Sequence, residues 1–232
     1  MAAVDTRNSA DTPDTDEMVL VHRLFLREYG SAAPLVRGVG AHNTGRSRTV
    51  AAYLAALAVM LEEHHLAEDE LVWPRLMNDP AVEQGLVERM EEQHERIARA
   101  LGRLSAALPD WRDTGDPELR EAVAGACEAL VPALEEHLAD EELYVLPLVP
   151  ERFTGAEWAR LSERGRAAVP GSHRLYMLGA LSAAAGDDQR AAFLGRLPAP
   201  VRLLWRLAGK RLRRGALLKL HGPPPATTGS RR

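Results

Sequence analysis

The chain of 232 residues contains a single cysteine, Cys127. One thiol cannot build a disulfide framework, a thiolate zinc site or a cysteine-held iron–sulfur cluster, and it suits a reducing cytoplasm. Aromatic residues make up only 5% of the chain. β-Branched residues are also sparse beside Ala, Leu, Arg and Glu, so the composition favours helix over strand. No run of 18 apolar residues occurs, which at the level of sequence argues against a membrane-spanning helix. The opening stretch to Glu17 carries Asp5, Asp11, Asp14 and Asp16, the wrong composition for a signal peptide. Glycine-rich phosphate loops and Ser/His/Asp arrangements are missing too, which argues against nucleotide hydrolysis and acyl transfer. No catalytic side chain is assigned.

Two features remain to be explained. Eight histidines are present, five of them before residue 100 and most near carboxylates. The formal net charge of −4 also conceals a split. Residues 1–156 carry 14 Lys/Arg against 29 Asp/Glu, whereas residues 157–232 carry 15 against 4. An acidic segment of net charge −15 is therefore followed by a basic one of +11.

Helix punctuation divides the acidic segment into four. Asp14 to Glu17 reads as a cap and acidic first turn, opening a stripe of Met18, Leu20, Val21, Leu24 and Phe25 that weakens at Gly30 and Pro34. Gly38 to Gly45 reads as a loop. Asn43 then caps a second helix running toward Leu71, which Pro74 kinks or ends. A third helix is expected from Asp79-Pro80 to Leu108-Pro109, followed by a loop over Asp110–Asp116. Asp116-Pro117-Glu118 opens a fourth, which Pro147 and Pro150 end. Four helices with short connections predict an all-α fold, an antiparallel up-down four-helix bundle over residues 14–152. A basic helical extension over 153–221 follows, with helices near 155–169, 175–185 and 199–220. Residues 1–13 and 222–232 are expected to be disordered.

An internal repeat locates the chemistry. His64, Glu68 and Pro74 form the pattern H-x3-E-x5-P, and His137, Glu141 and Pro147 repeat it 73 residues later. Residues i and i+4 lie on one helix face a turn apart, so each imidazole and carboxylate converge. Facing helices that contribute such pairs are how metal sites form inside bundles. His65/Asp69 is a second i,i+4 pair, but only His64/Glu68 is in register with the proline. His65 lies about 100° around the helix, as at best a peripheral additional ligand. On the first helix His22 is in step with Met18 and Phe25, and on the third His94 is in step with Met90, Ile97 and Leu101. The expected metal ligands are thus His22, His64, Glu68, His94, His137 and Glu141.

Val21-His22-Arg23-Leu24-Phe25, His64-His65 with Glu68-Asp69-Glu70 and Trp73-Pro74, and His137 with Glu141-Glu142 and Pro147 resemble the motifs of the hemerythrin-like, HHE cation-binding family. The resemblance covers about residues 14–150. It implies a four-helix bundle with two non-haem iron ions, bridged by the carboxylates and capped by the histidines; Mn and Zn accept the same ligand types. Two octahedral irons offer about twelve positions, of which four His, two bridging Glu and a solvent-derived bridge leave about two. The third helix of respiratory hemerythrins supplies two His a turn apart. Here Ala98 follows His94 at that spacing, so His65, Glu91 or Glu95 would have to substitute. An open or carboxylate-ligated position favours redox turnover over reversible oxygen carriage.

The remaining candidates have plainer roles. His42, His173 and His221 have no i,i+4 carboxylate and are read as non-ligands; Cys127 is read as buried and inert. Tyr29, Tyr53 and Trp73 are read as core packing, and most flanking acids as solvated faces, with some holding ligand imidazoles. The basic, leucine-rich stretch 199–220 is read as docking on the acidic bundle, with a membrane surface, nucleic acid or a protein partner as alternatives. The expected function is a cytoplasmic iron-binding protein for O2, peroxide or NO in sensing, storage or detoxification. A di-iron peroxidase or oxidase and a regulatory module acting through the basic helix are the alternatives.

Overall fold

The structure is a computed structural model and describes residues 12–83, 85–171 and 173–221. Residues 1–11 and 222–232, where disorder is expected, lie outside the described residues. No strand occurs among those described.

Helix α1 (Asp16–Gly30) starts on two acids at the positive end of its dipole and buries Leu24, Phe25 and Tyr29. Ser31 interrupts it before α2 (Ala32–Arg37). Asn43 accepts from the Arg46 amide and so caps α3 (Thr44–Leu71). Pro74 removes a donor that α3 would need and sits in the first turn of α4 (Trp73–Met77), where that donor is not required.

The third long helix begins and ends later than its sequence suggests. Asp79 does not cap it; its carboxylate accepts from the Ala81 amide and from Arg152 at 2.5 Å. Gly85, at φ +87, makes the turn into α5 (Leu86–Thr114). Pro109 lies inside that helix, and the expected loop at 110–114 is helical. The reason is Trp111, fully buried one turn from the end. Truncating a buried Trp costs about 3–5 kcal/mol, enough to offset the ~3 kcal/mol penalty of an internal proline. Gly115 stops the helix at φ +61, where a Cβ would meet the His42–Asn43 backbone at 3.0 Å. Asp116 then caps α6 (Pro117–Asp140) as expected, accepting from the Glu118 and Leu119 amides.

Leu24, Phe25, Leu54, Leu57, Leu61, Ile97, Leu104, Leu130 and Leu134 from α1, α3, α5 and α6 form one buried core. Burial of each such side chain stabilises the fold by about 1.5–3 kcal/mol. Polar pairs order the four helices against one another: Tyr53 with Glu28, Ser47 with the Arg112 carbonyl, Asp69 with His94, and Gln93 with Asp140, while Arg37 ties α2 to Glu121 of α6. At the end of α6 the chain passes through a π-helical turn (Glu141–Val145) and a 3-10 turn (Leu146–Leu148) into α7 (Val149–Arg152). Pro147 cannot donate to the carbonyl one turn back, and the Leu146 amide reaches to Glu141 instead.

A capping box between Thr154 and Glu157 opens α8 (Gly155–Ala168). Next come α9 (Arg174–Ala184), α10 (Asp187–Arg196) and α11 (Ala199–His221); α10 was not expected, being short and mostly polar. Charge docks this segment mainly through α8, where Arg164 pairs with Glu63 (3.2 Å) and Glu70, and Arg166 with Glu17 (2.7 Å). A buried seam joins α9 to the core. Tyr53 and Tyr176 both donate to Glu28, and Arg27 spans Glu28 (2.6 Å) and the Ala180 carbonyl (2.8 Å). Helix α11 packs on α9 and α3 with Gly209 and Leu220 buried, while Leu203, Leu204 and Leu207 face outward. Among the described residues no ion pair joins α11 to the core.

By length and mean hydropathy the stretch Thr44–Met77 would pass as a membrane span, although no uninterrupted apolar run marks it in the sequence. Two thirds of its apolar window is buried inside the protein.

Candidate metal centre

Helix α3 places two donors about one turn before a third: the adjacent His64 and His65 lie four and three residues before Glu68, the two spacings that share a helix face. His22 of α1, His94 of α5, and His137 and Glu141 at the end of α6 approach the same point. All seven side chains are buried, His22, Glu68, His137 and Glu141 completely.

The donors divide into two groups that share Glu68. His22, His64, Glu68 and Glu141 form one; His65, Glu68, His94 and His137 form the other, with ligand atoms within 4.8 Å of one another in each. Glu68 turns one oxygen to each group: Oε1 lies 3.2 Å from His64 Nε2, and Oε2 lies 3.4 Å from His94 Nε2. Glu141 Oε2 stands between groups as well, 3.1 Å from His22 Nε2 and 3.9 Å from His137 Nε2.

His65 is therefore no peripheral residue. Its ring stacks on His94 at 4.2 Å and meets His137 edge-on at 5.0 Å. A rotation of 100° around α3 does not remove it from the site, because Glu68 lies between the two directions and each of its oxygens serves one. The adjacent pair His64-His65 ahead of Glu68 carried this signal in the sequence. Glu91 and Glu95 are exposed and take no part. His42 and His173 belong to neither group, and the side chain of His221 lies outside the described residues.

Outer partners set the tautomers of three rings. His22 Nδ1–H donates to Glu142 (3.0 Å), His94 Nδ1–H to Asp69 (2.7 Å) and His137 Nδ1–H to Gln93 Oε1 (3.2 Å). Each bond points Nε2 inward, the nitrogen that a metal ion would take in place of a proton. Asp140, a pure acceptor, takes the Gln93 amide N–H at 2.8 Å and so fixes which end of that amide meets His137. Trp73 donates to Asp69 at 2.9 Å and lies 5.6 Å from the His94 ring, a second role beyond core packing. Gln93 is the functional residue that the sequence concealed, since an uncharged amide on a helix carries no metal-site signature.

Electrostatics in this pocket pull in opposite directions. Burial, the largest influence, disfavours the His22 cation, yet Glu141, Glu142 and Glu68 override it and raise the imidazole to about 10. Burial likewise opposes His94, but Asp69 and Glu68 lift it to about 9. At His64 and His137, burial together with the neighbouring histidines outweighs the pull of Glu141 and drives both down to about 3. Burial with the neighbouring Glu141 raises Glu68 to about 7, whereas His22 outweighs burial at Glu141 and holds it at about 2.

The residues fit a cation. His22, His64 and His65 Nε2 and all four oxygens of Glu68 and Glu141 are buried without a hydrogen-bond partner. Leaving one such group unsatisfied costs about 1–3 kcal/mol, more when charged, so seven aimed at two points are explained by what they can jointly bind. The sequence profile described as Hemerythrin HHE cation binding domain matches residues 14–149.

The chain belongs to the hemerythrin HHE cation-binding family. Its cation-binding character and its all-helical fold follow from that membership. No curated relative and no solved structure matches the chain. Cys127 is no part of the HHE site; it is buried, and burial raises its thiol to about 12.

Proposed function

We propose that α1, α3, α5 and α6 form an antiparallel up-down four-helix bundle around a centre of two non-haem irons. His22 and His64 would hold one ion and His65, His94 and His137 the other, with Glu68 and Glu141 bridging them. The observation that carries this reading is Glu68, a buried carboxylate with no hydrogen-bond partner and one oxygen directed at each donor group. Counting His65, five imidazoles, two bridging carboxylates and a solvent-derived bridge leave about one of twelve octahedral positions for an outside ligand.

A pair of irons supplies the capacity to bind or reduce O2, peroxide or NO. The protein's own contribution is positional. Glu142, Asp69 and Gln93 would hold three imidazoles in the ligating orientation, while Phe25 packs 5.4 Å from His64. The supported role is ligand binding in sensing, storage or detoxification, and the single buried thiol fits a reducing cytoplasm.

Ferrous loading followed by metal analysis and an optical spectrum in air tests the reading. About two irons per chain with near-ultraviolet charge-transfer absorption are expected. Retention of less than about 0.2 metal per chain overturns it, and a stable pair of zinc or manganese ions in place of iron overturns the iron assignment.

A further inference from the structure

A cavity of about 900 Å³ lies between the core and the C-terminal helices. Its size is at the upper end of small-molecule sites, which run roughly 300–1,000 Å³. Val21, Phe25 and Met60 form its core wall, and Trp158, Met177 and Leu181 line the opposite side. His64 also lines it, so the cavity reaches a side chain of the candidate metal centre.

The charges on its wall are unequal. Arg166 is paired with Glu17 at 2.7 Å. Arg174 donates through Nε to the Val169 carbonyl at 3.2 Å, and among the described residues it has no carboxylate partner. The wall also carries Asp14 and Glu17, and among the described residues the guanidinium of the exposed Arg174 is its cation without a carboxylate partner; a planar fork suits a carboxylate.

The topology then orients a ligand. Helix α9 places Arg174, Met177, Leu178 and Leu181 on one lining stripe of roughly 10 Å. On α9, Tyr176 meets Glu28 and Ala180 meets Arg27, and Gln189 at the start of α10 meets Arg23. Movement along α9 away from Arg174 is therefore movement along α1 toward His22. A carboxylate held at Arg174 directs an apolar tail along that stripe toward the His22/His64 end.

We propose that this cavity binds a free long-chain monocarboxylate, with the carboxylate on Arg174 and the chain between α1, α3, α8 and α9. The C-terminal helices thereby give the metal-binding core a ligand site that the core alone does not contain. The site is a property of the metal-free chain and does not require the centre to be loaded.

The test titrates the full-length, metal-free protein with a dansyl-labelled undecanoic acid. A saturable rise in fluorescence is expected, reversed by dodecanoate. Arg174→Gln weakens dodecanoate by about tenfold, the loss of one charge-assisted contact, and leaves dodecanol unchanged. Gly165→Leu fills the cavity from a position where a Cβ meets nothing within 4 Å, and Ala159→Phe fills it from an exposed lining position. Each abolishes probe uptake while helix content and melting match the parent. Non-saturable uptake, unchanged uptake in a folded filling variant, or equal loss of dodecanoate and dodecanol in Arg174→Gln overturns the proposal. Metal loading without probe uptake refutes the cavity site alone, and probe uptake without metal loading refutes the centre alone.

Discussion

The core helices and the C-terminal helices are held by different physics. In α1, α3, α5 and α6, side chains such as Leu24, Phe25, Leu54 and Trp111 are fully buried, and most of the polar groups inside converge on two adjoining points. In α8 to α11, ion pairs at the rim and one polar seam join a few buried apolar anchors (Trp158, Leu161, Met177, Ala180 and Leu220), with leucines of α11 still exposed. A region that needs a rigid donor cage is built from burial; a region that roofs a cavity is attached by contacts of lower cost to open.

The largest effect should come from the cage itself. Glu68→Ala removes the carboxylate common to both donor groups, and bound iron should fall from about two to near zero per chain by metal analysis. Helix content should be retained, because the variant also removes a buried charge. Loss of only one ion would show that the groups are independent. Gln93→Leu comes next. It frees the His137 ring without touching a donor, and metal affinity should drop roughly 10- to 100-fold in a competition with a chelator.

The seam between the regions is the following test. Glu28→Ala strands the Tyr53 and Tyr176 hydroxyls, and unfolding in urea should show a loss of about 2–3 kcal/mol. A cost confined to α9, seen as faster amide exchange there alone, would mean that the seam belongs to the C-terminal segment only. Arg164→Ala is smaller. Its pairs with Glu63 and Glu70 are partly exposed, so the expected cost is below about 1 kcal/mol and vanishes in high salt.

The smallest effect is acid fraying of α8. The Thr154 amide, then Arg75 and the Thr154 hydroxyl, hold Glu157 down at about 2 instead of 4.5. A carboxyl lowered in the folded state stabilises it above its unfolded value, and the contribution is lost as pH falls from about 4.5 toward 2. Quenching of Trp158 fluorescence should rise across that window, and Glu157→Gln should remove the pH dependence.

Much of the core was legible in the residues. Asn43 and Asp116 announced two helix starts, and the H-x3-E-x5-P repeat named the two carboxylates that now stand at the centre. Both signals are local, because a cap or an i,i+4 pair is set within one turn of helix. Pro109 misled for the opposite reason: the proline is local, but Trp111, which keeps the helix going, is buried only by its neighbours.

The sequence by itself determined which side chains could ligate, since helical spacing fixes the face on which His22, His64, Glu68, His94, His137 and Glu141 lie. Only the tertiary structure decided how they are shared. Helix rotation and separation give Glu68 one oxygen for each group, draw His65 inward beside His94, and bring Gln93 to His137 across two helices. The cavity against His64 is likewise a product of docking, because its walls come from helices roughly ninety or more residues apart and no local pattern encodes the space between them.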